Sequence, residues 1–417
     1  MSTAQPQSFA AFRHPGFRVY LLGNALAMMA DSVEHVITYW VAFQKFHSPT
    51  LGGFAMLSHW LPFLLFSTLA GALADRFDPR RLIQIGMALF MFCSIAWSLL
   101  IFTDSLQMWH AAVLLLMHGC AGVFWGPPGQ VLIHDIVGPA QLSSAVRLMA
   151  TSRYLGLLSG PALGAAFFLI FGPIYGLMLN ALIYLPLMLW LATAPYGPRF
   201  RAASATKHRA IRGIADIIET FGEVKNNPII VSMILLSGSA SFFVANAYQA
   251  QMPEFGRDFG HGDAGFSYSA LLAADAAGAL LGGVVLETRG LPPNPRTAFV
   301  LAMLWCCAIA GFALDSYYPL ALMLLFAAGF LELSYNSMAQ ALIQLHAPAP
   351  IRGRVIGLYS MAGLGLRAVS GIWVGMLGGF IGIHTSLSMA ALVLLAVLMV
   401  IFAYELAPAR AGAHSGD

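Results

Sequence analysis

Long apolar runs separated by short polar breaks set the rhythm of this chain. Twelve such runs fall at roughly 17–44, 51–74, 82–102, 107–132, 142–170, 173–194, 228–252, 265–288, 297–314, 318–345, 353–381 and 384–405. Each can supply the roughly 20 residues that carry a helix across a hydrocarbon core. The runs are continuous rather than alternating, so they predict helices and not the strands of a barrel. The longest polar stretch, 195–227, parts the chain into a first half (1–194), a linker and a second half (228–417). Inside it, Ile211 to Val224 has an amphipathic period that predicts a helix lying on a membrane surface. The expected fold is an all-α membrane protein of twelve transmembrane helices in two six-helix bundles.

Composition agrees with the pattern. The 417 residues are 59% hydrophobic, and only 9% are Asp, Glu, Lys or Arg, against about 25% in soluble domains. A chain this apolar cannot cover itself with polar surface, so its outside must face lipid. The net charge of +3 comes with no basic tract of the kind that binds nucleic acid. Cys93, Cys120, Cys306 and Cys307 lie in apolar runs and read as free thiols, not as a disulfide or metal framework. No cleavable signal peptide is expected, because the first apolar run is too long and lacks a small-residue cleavage site. No cofactor is expected.

Charge placement sets the expected topology. Arg13, Arg18, Arg76, Arg80, Arg81, the 199–225 group, Arg289, Arg296, Arg352, Arg354 and Arg410 share one side of a twelve-helix map, while Lys45 and Arg257 lie opposite. The positive-inside bias then predicts both termini on the cytoplasmic side of a bacterial-type inner membrane. The halves also repeat. Gly129–Gln130–Val131–Leu132–Ile133 matches Ala339–Gln340–Ala341–Leu342–Ile343, and Gly71 to Asp75 falls over Gly283 to Glu287. A six-plus-six repeat predicts a solute site near the midplane, between the halves.

The run Gly71–Ala–Leu–Ala–Asp75–Arg76–Phe–Asp78–Pro–Arg80–Arg81 follows the second apolar segment. It resembles the signature loop between helices 2 and 3 of the major facilitator superfamily, with Asp78–Pro79 in place of the usual Gly. Gly71 permits close helix approach, Asp75 suits a neighbouring helix N-terminus, and Arg76 and Arg80 can pair with acids. Gly156-x-x-x-Gly160–Pro161-x-x-Gly164 in the fifth segment resembles that superfamily's antiporter motif. In helical terms its glycines open one face and Pro161 bends the helix.

Over residues 9–405 the chain resembles the enterobactin-exporter-like branch, which includes siderophore and drug efflux proteins. The residues that carry this are Phe12–Arg13–x–Pro15–x–Phe17–Arg18, Ala121–Gly122–x–Phe124–x–x–Pro127 and Ser159 to Gly164. Leu115 stands where drug/proton antiporters often have Arg. The resemblance implies a monomeric exporter of a small organic solute, working by alternating access with protons as the coupling ion. Import of an organic nutrient remains the alternative within that class.

Ionisable residues inside apolar runs are costly and need partners or a wet cavity. In the first segment Asn24, Asp31, Glu34, His35 and Thr38 share one helix face about 100° wide. Two carboxylates and an imidazole on one stripe make a candidate proton site. Asp31 and His35 at i, i+4 also offer ligands to a divalent metal, a pattern that resembles ferroportin-like exporters. Arg153-x-x-Gly156-x-x-x-Gly160 and Asp275-x-x-Gly278-x-x-x-Gly282 are matched patterns, and they predict an Arg153–Asp275 pair across the two halves. Glu332 is a second candidate proton site, and Arg367 is expected to face the opposite half. His59 and His118 read as lone core histidines. Trp40, Trp125, Asn246, Tyr248, Gln249, Tyr335 and Asn336 are candidate cavity residues. An intramembrane enzyme finds no support: Ser267 has no evident His partner, and there is no HExxH run.

Overall fold

The computed structural model describes residues 8–200, 211–245, 247–259 and 264–406, so Asn246, Arg201, Lys207, Arg209 and Arg410 lie outside it. Every regular element among the described residues is helical. Helices α1 (Pro15–Phe46), α2 (Pro49–Arg76) and α3 (Pro79–Phe102) each begin on a proline, whose missing N–H is one the first turn leaves unpaired anyway. Ser48 and Asp78 cap the second and third by accepting from Leu51 N and Arg80 N.

Met108–Ile183 is hydrogen-bonded as one long helix, but its backbone leaves helical geometry at Gly138 (φ 68°) and Gly172 (φ 71°). These breaks make three passes: α4 (108–137), α5 (139–171) and α6 (173–183, continued by Leu185–Thr193). The sequence pattern predicts a loop over 133–141; one glycine turns the chain there instead. Each turning glycine adopts a left-handed φ open to it without a side chain and is followed at once by a helix-starting proline, Pro139 or Pro173.

The amphipathic α7 (Ile214–Val224) follows. It buries Asp216 and Thr220 and exposes Ile218 and Phe221, as suits a helix whose apolar face meets lipid. The single helix expected over 228–252 is two pieces that together make α8, Pro228–Phe243 and Ala247–Asp258. Then come α9 (Ala264–Arg289), α10 (Pro295–Leu314) and α11 (Tyr318–His346). The helix α12 has three parts: Arg352–Ser360, a π-helical turn at Met361–Gly365, and Arg367–Ile381. The last is α13 (Ile383–Leu406).

Nine described stretches are long and apolar enough to cross a membrane, and one of them, Met108–Phe200, contains the three passes α4 to α6. With the more polar α1 this makes twelve. Phe43, Phe102, Leu169, Phe380 and Val400 are among the large apolar side chains left on the outside, where lipid rather than water is the natural neighbour.

Apolar cores around Tyr20, Phe90 and Tyr184, around Val33, Trp97 and Leu177, and a small one at Phe63, Ala70 and Val123 fill the first half. A larger one, around Tyr248, Phe255, Trp305 and Tyr335, fills the second. The halves meet most closely along α2 and α12. A Cβ at Gly71 would overlap the carbonyl of Gly353, one at Gly357 the carbonyl of Ser67, and one at Gly365 would run into Leu64. Further along α12, Gly371 and Gly375 have nothing near their Cβ positions.

Candidate functional site

Two polar centres sit inside the bundles, one in each half. The first grows from the stripe on α1. Asp31 and Glu34 are 5% and 2% exposed, a depth at which each carboxylate needs partners. His118 of α4 serves both, its Nε2 2.7 Å from Asp31 Oδ1 and its Nδ1 2.9 Å from Glu34 Oε1. An imidazole with an acceptor at each nitrogen needs two N–H donors, or else a proton on one of the carboxylates. Ser94 donates to the other Glu34 oxygen and is itself held by Asn180 Nδ2 at 3.2 Å. His35 Nδ1 lies 3.8 Å from Asp31 Oδ2. The ring of His59 from α2 stands 4.8 Å from that of His35, and its buried Nδ1 has no hydrogen-bond partner. One nitrogen from each of His35, His59 and His118 can be chosen so that all lie within 4.8 Å of one another. His59 and His118 are thus not lone histidines: His118 is a core histidine satisfied by two carboxylates, and His59 stacks against His35. His118 is 84 and 87 positions from its carboxylates, and its own helix carries no local signal of them.

The second centre is built around a phenol. Tyr248 Oη is 3.0 Å from Glu332 Oε2 and 3.4 Å from both oxygens of Asp275. Gln249 hydrogen-bonds Asp275. Arg367 Nη2 lies 3.6 Å from Glu332 Oε1, and its Nε donates to the Gly363 carbonyl in the π turn. The same guanidinium rests 5.2 Å over the ring of Trp60, a residue of the first half. Arg367 therefore bonds to its own half while its cation touches the other through an aromatic face.

The expected Arg153–Asp275 pair is not formed. The glycine faces that suggested it are spent inside each half. Gly156, Gly160 and Gly164 seat α5 on Met28, Ser32 and Val36 of α1, while Gly278 and Gly282 seat α9 on Phe326 and Phe330 of α11. That packing turns Asp275 toward Tyr248. Arg153 instead lies within electrostatic reach of Glu332, Asp31 and Arg367, with no carboxylate within 4.0 Å among the described residues. Pro161 lies inside this helix, one residue past Gly160.

The cavity candidates scatter. Trp40 is 47% exposed and packs on Phe43 and Phe168, away from either centre. Tyr335 is buried against Trp305 inside the second half. Trp125 donates to Asn24 Oδ1 at 3.0 Å. Asn336 is half-buried. Trp60, absent from the sequence-based candidates, touches across the seam through the Arg367 guanidinium.

At the basic end the halves are laced together. Asp75 caps α12, accepting from Gly353 N at 2.6 Å and Arg354 N at 3.0 Å, and Arg354 Nη1 adds an ion pair at 3.5 Å. Arg354 Nε also reaches Asp216 of α7 at 3.2 Å. The repeat-related Glu287 pairs with Arg147 Nε at 2.6 Å and accepts from Ser144 and from Phe9 N. Arg352 meets His134 at 3.1 Å, and Gln344 meets Gln130 at 3.4 Å. Arg80 pairs with Asp78 within its own loop and donates to the Ala194 carbonyl. Arg76 stacks over Phe77 and, among the described residues, takes no part in the lacing. At the opposite end no described hydrogen bond or ion pair joins the halves.

Two pseudo-repeated bundles with charges buried inside them, laced together at one end among the described residues, have the make-up of a polytopic membrane transporter. The major facilitator superfamily model matches residues 20–371, and the chain belongs to that family, whose members are transporters rather than enzymes. It is 23% identical over 400 residues to the uncharacterized MFS-type transporter YfiS of Bacillus subtilis, a match that takes in 91% of this chain and 92% of that one. Among solved structures it resembles the human organic anion transporter MFSD10, at a TM-score of 0.72 and 14% identity, covering 93% of this chain and 99% of that one. It also resembles the E. coli fucose:proton symporter FucP, at 0.71 and 12%, covering 93% and 98%. A third is the proton:xylose symporter XylE, at 0.71 and 16%, covering 94% and 95%. At these identities the likeness to the solved structures is one of fold.

Proposed function

We propose that this protein exports a small organic solute across the inner membrane by alternating access, coupled to inward proton movement. The observation that carries the reading is the Tyr248–Asp275–Glu332–Arg367 centre. Two buried carboxylates share one phenol, and one guanidinium sits beside them. With Asp31 and Glu34 of the first half, four carboxylates are buried; Glu332 lies beside Arg367, Glu332 and Asp31 lie within electrostatic reach of Arg153, and Asp31 and Glu34 share His118. A bare excess of negative charge in the bilayer is costly, and a proton that comes and goes with the rocking of the halves relieves it. The segments 1–194 and 228–417 are the two rocking units, joined by 195–227.

The basic end is the cytoplasmic one on the positive-inside rule. In this reading the lacing by Asp75–Arg354 and Glu287–Arg147 is a cytoplasmic gate, here closed. Two of the structural neighbours are named as proton symporters of sugars and one as an organic anion transporter, which supports a small organic cargo and a proton. Export rather than import rests on the antiporter-like Gly156–Gly164 pattern and on the resemblance to siderophore and drug efflux proteins.

The test is transport by the purified chain in liposomes with an imposed pH gradient. Siderophore- and drug-like solutes are offered, and proton release is followed on each addition. Solute-dependent proton flux that disappears in Glu332→Gln supports the coupling site. Solute flux that ignores the gradient, and persists unchanged in that variant, rejects it. The sign of solute movement relative to the gradient separates export from import.

A further inference from the structure

We propose that His35, His59, His118 and Asp31 form a binding site for a divalent transition-metal ion of the zinc class. This goes beyond the organic-solute reading and does not depend on it. The residues come from three helices, α1, α2 and α4, which fold brings to one point inside the first half.

The geometry favours an ion over a plain hydrogen-bond cluster. Nitrogens of the three imidazoles lie within 4.8 Å of one another. In a tetrahedral zinc site, metal–nitrogen bonds of about 2.0–2.1 Å put the nitrogens about 3.3 Å apart. Side-chain rotation has to close at most about 1.5 Å at the widest pair. The Nδ1 of His59 is buried and has no partner. An imidazole nitrogen shut away from water without a partner is costly to leave so, and a metal ion is a partner it lacks. Asp31 supplies the oxygen. Its Oδ2 is 3.8 Å from His35 Nδ1, and its Oδ1 is 2.7 Å from His118 Nε2.

An ion entering here takes the place of the hydrogen between Asp31 and His118. His118 then binds through Nε2 and keeps its other nitrogen on Glu34 Oε1, 2.9 Å away. Glu34 is in turn fixed by Ser94, and Ser94 by Asn180. A ligating histidine whose second nitrogen is held by a carboxylate is the usual outer-shell arrangement of metal sites. Three nitrogens and one carboxylate suit Zn²⁺, Co²⁺ or Ni²⁺, and not Mg²⁺ or Ca²⁺, which want all-oxygen shells. Sequence reasoning reached only Asp31 and His35. A single helix offers too few ligands, and the other two histidines arrive from distant segments.

The experiment is a Co²⁺ titration of the purified full-length chain after chelator treatment, followed by visible d–d absorbance. The expected result is one equivalent bound, with the strong band of four-coordinate Co²⁺, displaced by Zn²⁺ and not by Mg²⁺. His59→Ala is the decisive variant, because His59 makes no hydrogen bond through Nδ1 and its loss should leave folding intact by size exclusion and thermal unfolding. It should weaken Co²⁺ binding at least about tenfold, as should His35→Ala. His47→Asn, at an exposed histidine at the end of α1, should leave the titration unchanged. Absence of a one-equivalent band, or wild-type affinity in folded His59→Ala, overturns the site. Loss of solute-coupled proton flux in Glu332→Gln bears on the transport reading alone, so the two claims fail separately.

Discussion

The polar centres of the two halves are built from different chemistry on a repeated scaffold. In the first half, Asp31 and Glu34 are answered by a histidine, His118, within the same bundle. In the second, Asp275 and Glu332 share a neutral phenol, and the cation that completes the set, Arg367, also lies on Trp60 of the other half. The ion pairs between the halves, by contrast, do repeat: Asp75 with Arg354 and Glu287 with Arg147 occupy repeat-related places. The repeat thus preserves close helix contact and ion pairs between the halves at one end. It does not preserve what the centre binds. The first centre closes on itself, whereas the second reaches across the seam and is the better placed to sense the other half.

The sharpest way to break this comparison is His118→Ala. It strips two buried carboxylates of their common partner and should cost about 3–5 kcal/mol, read as loss of folded protein on detergent thermal unfolding. His59→Ala, a few ångströms away, should cost under about 1 kcal/mol, because no hydrogen bond through Nδ1 is lost. Equal effects would mean that His118 is not the keystone of the first centre.

Next in size is Gly278→Val, which drives a side chain into the Phe326 carbonyl. Overpacking costs about 1–3 kcal/mol in ordinary cores, and a backbone neighbour that cannot yield puts this case at the upper end. Asp275→Asn should leave the fold intact and reduce gradient-driven solute flux by about tenfold or more, a loss equivalent to about 1.4 kcal/mol in the coupled step. Unchanged flux would make the second centre merely structural.

Asp75→Asn weakens a charge at the α12 N-terminus worth about 0.3–1 kcal/mol, up to about 2 when partly buried. Accessibility of a cysteine placed at the basic end of the seam should rise, and adding Glu287→Gln should raise it further if the two gates act together. Asp104→Asn is the smallest. Its carboxyl lies below the usual range because Lys45 donates to it at 2.7 Å, yet Asp104 is fully exposed. An exposed pair of this kind should leave the unfolding midpoint where it was.

By itself the sequence determined the membrane-spanning α class, the twelve passes, the repeat and the family. These follow from local quantities: run length, hydropathy and one loop motif, each legible without a partner. It also put Asp31, Glu34 and His35 on one face of α1, because a helix period is local too. What it could not give was which charge meets which. Arg153 and Asp275 share a glycine pattern, but a glycine face says only that something packs closely, not what. Here each face took a neighbour in its own half, and the pair did not form. His59, His118 and Trp60 reached their places only through packing between segments far apart in the chain. Tertiary structure alone decided the two centres, because a buried charge is satisfied by whatever distant atom the fold brings within about 3 Å, and helix period carries no record of that distance.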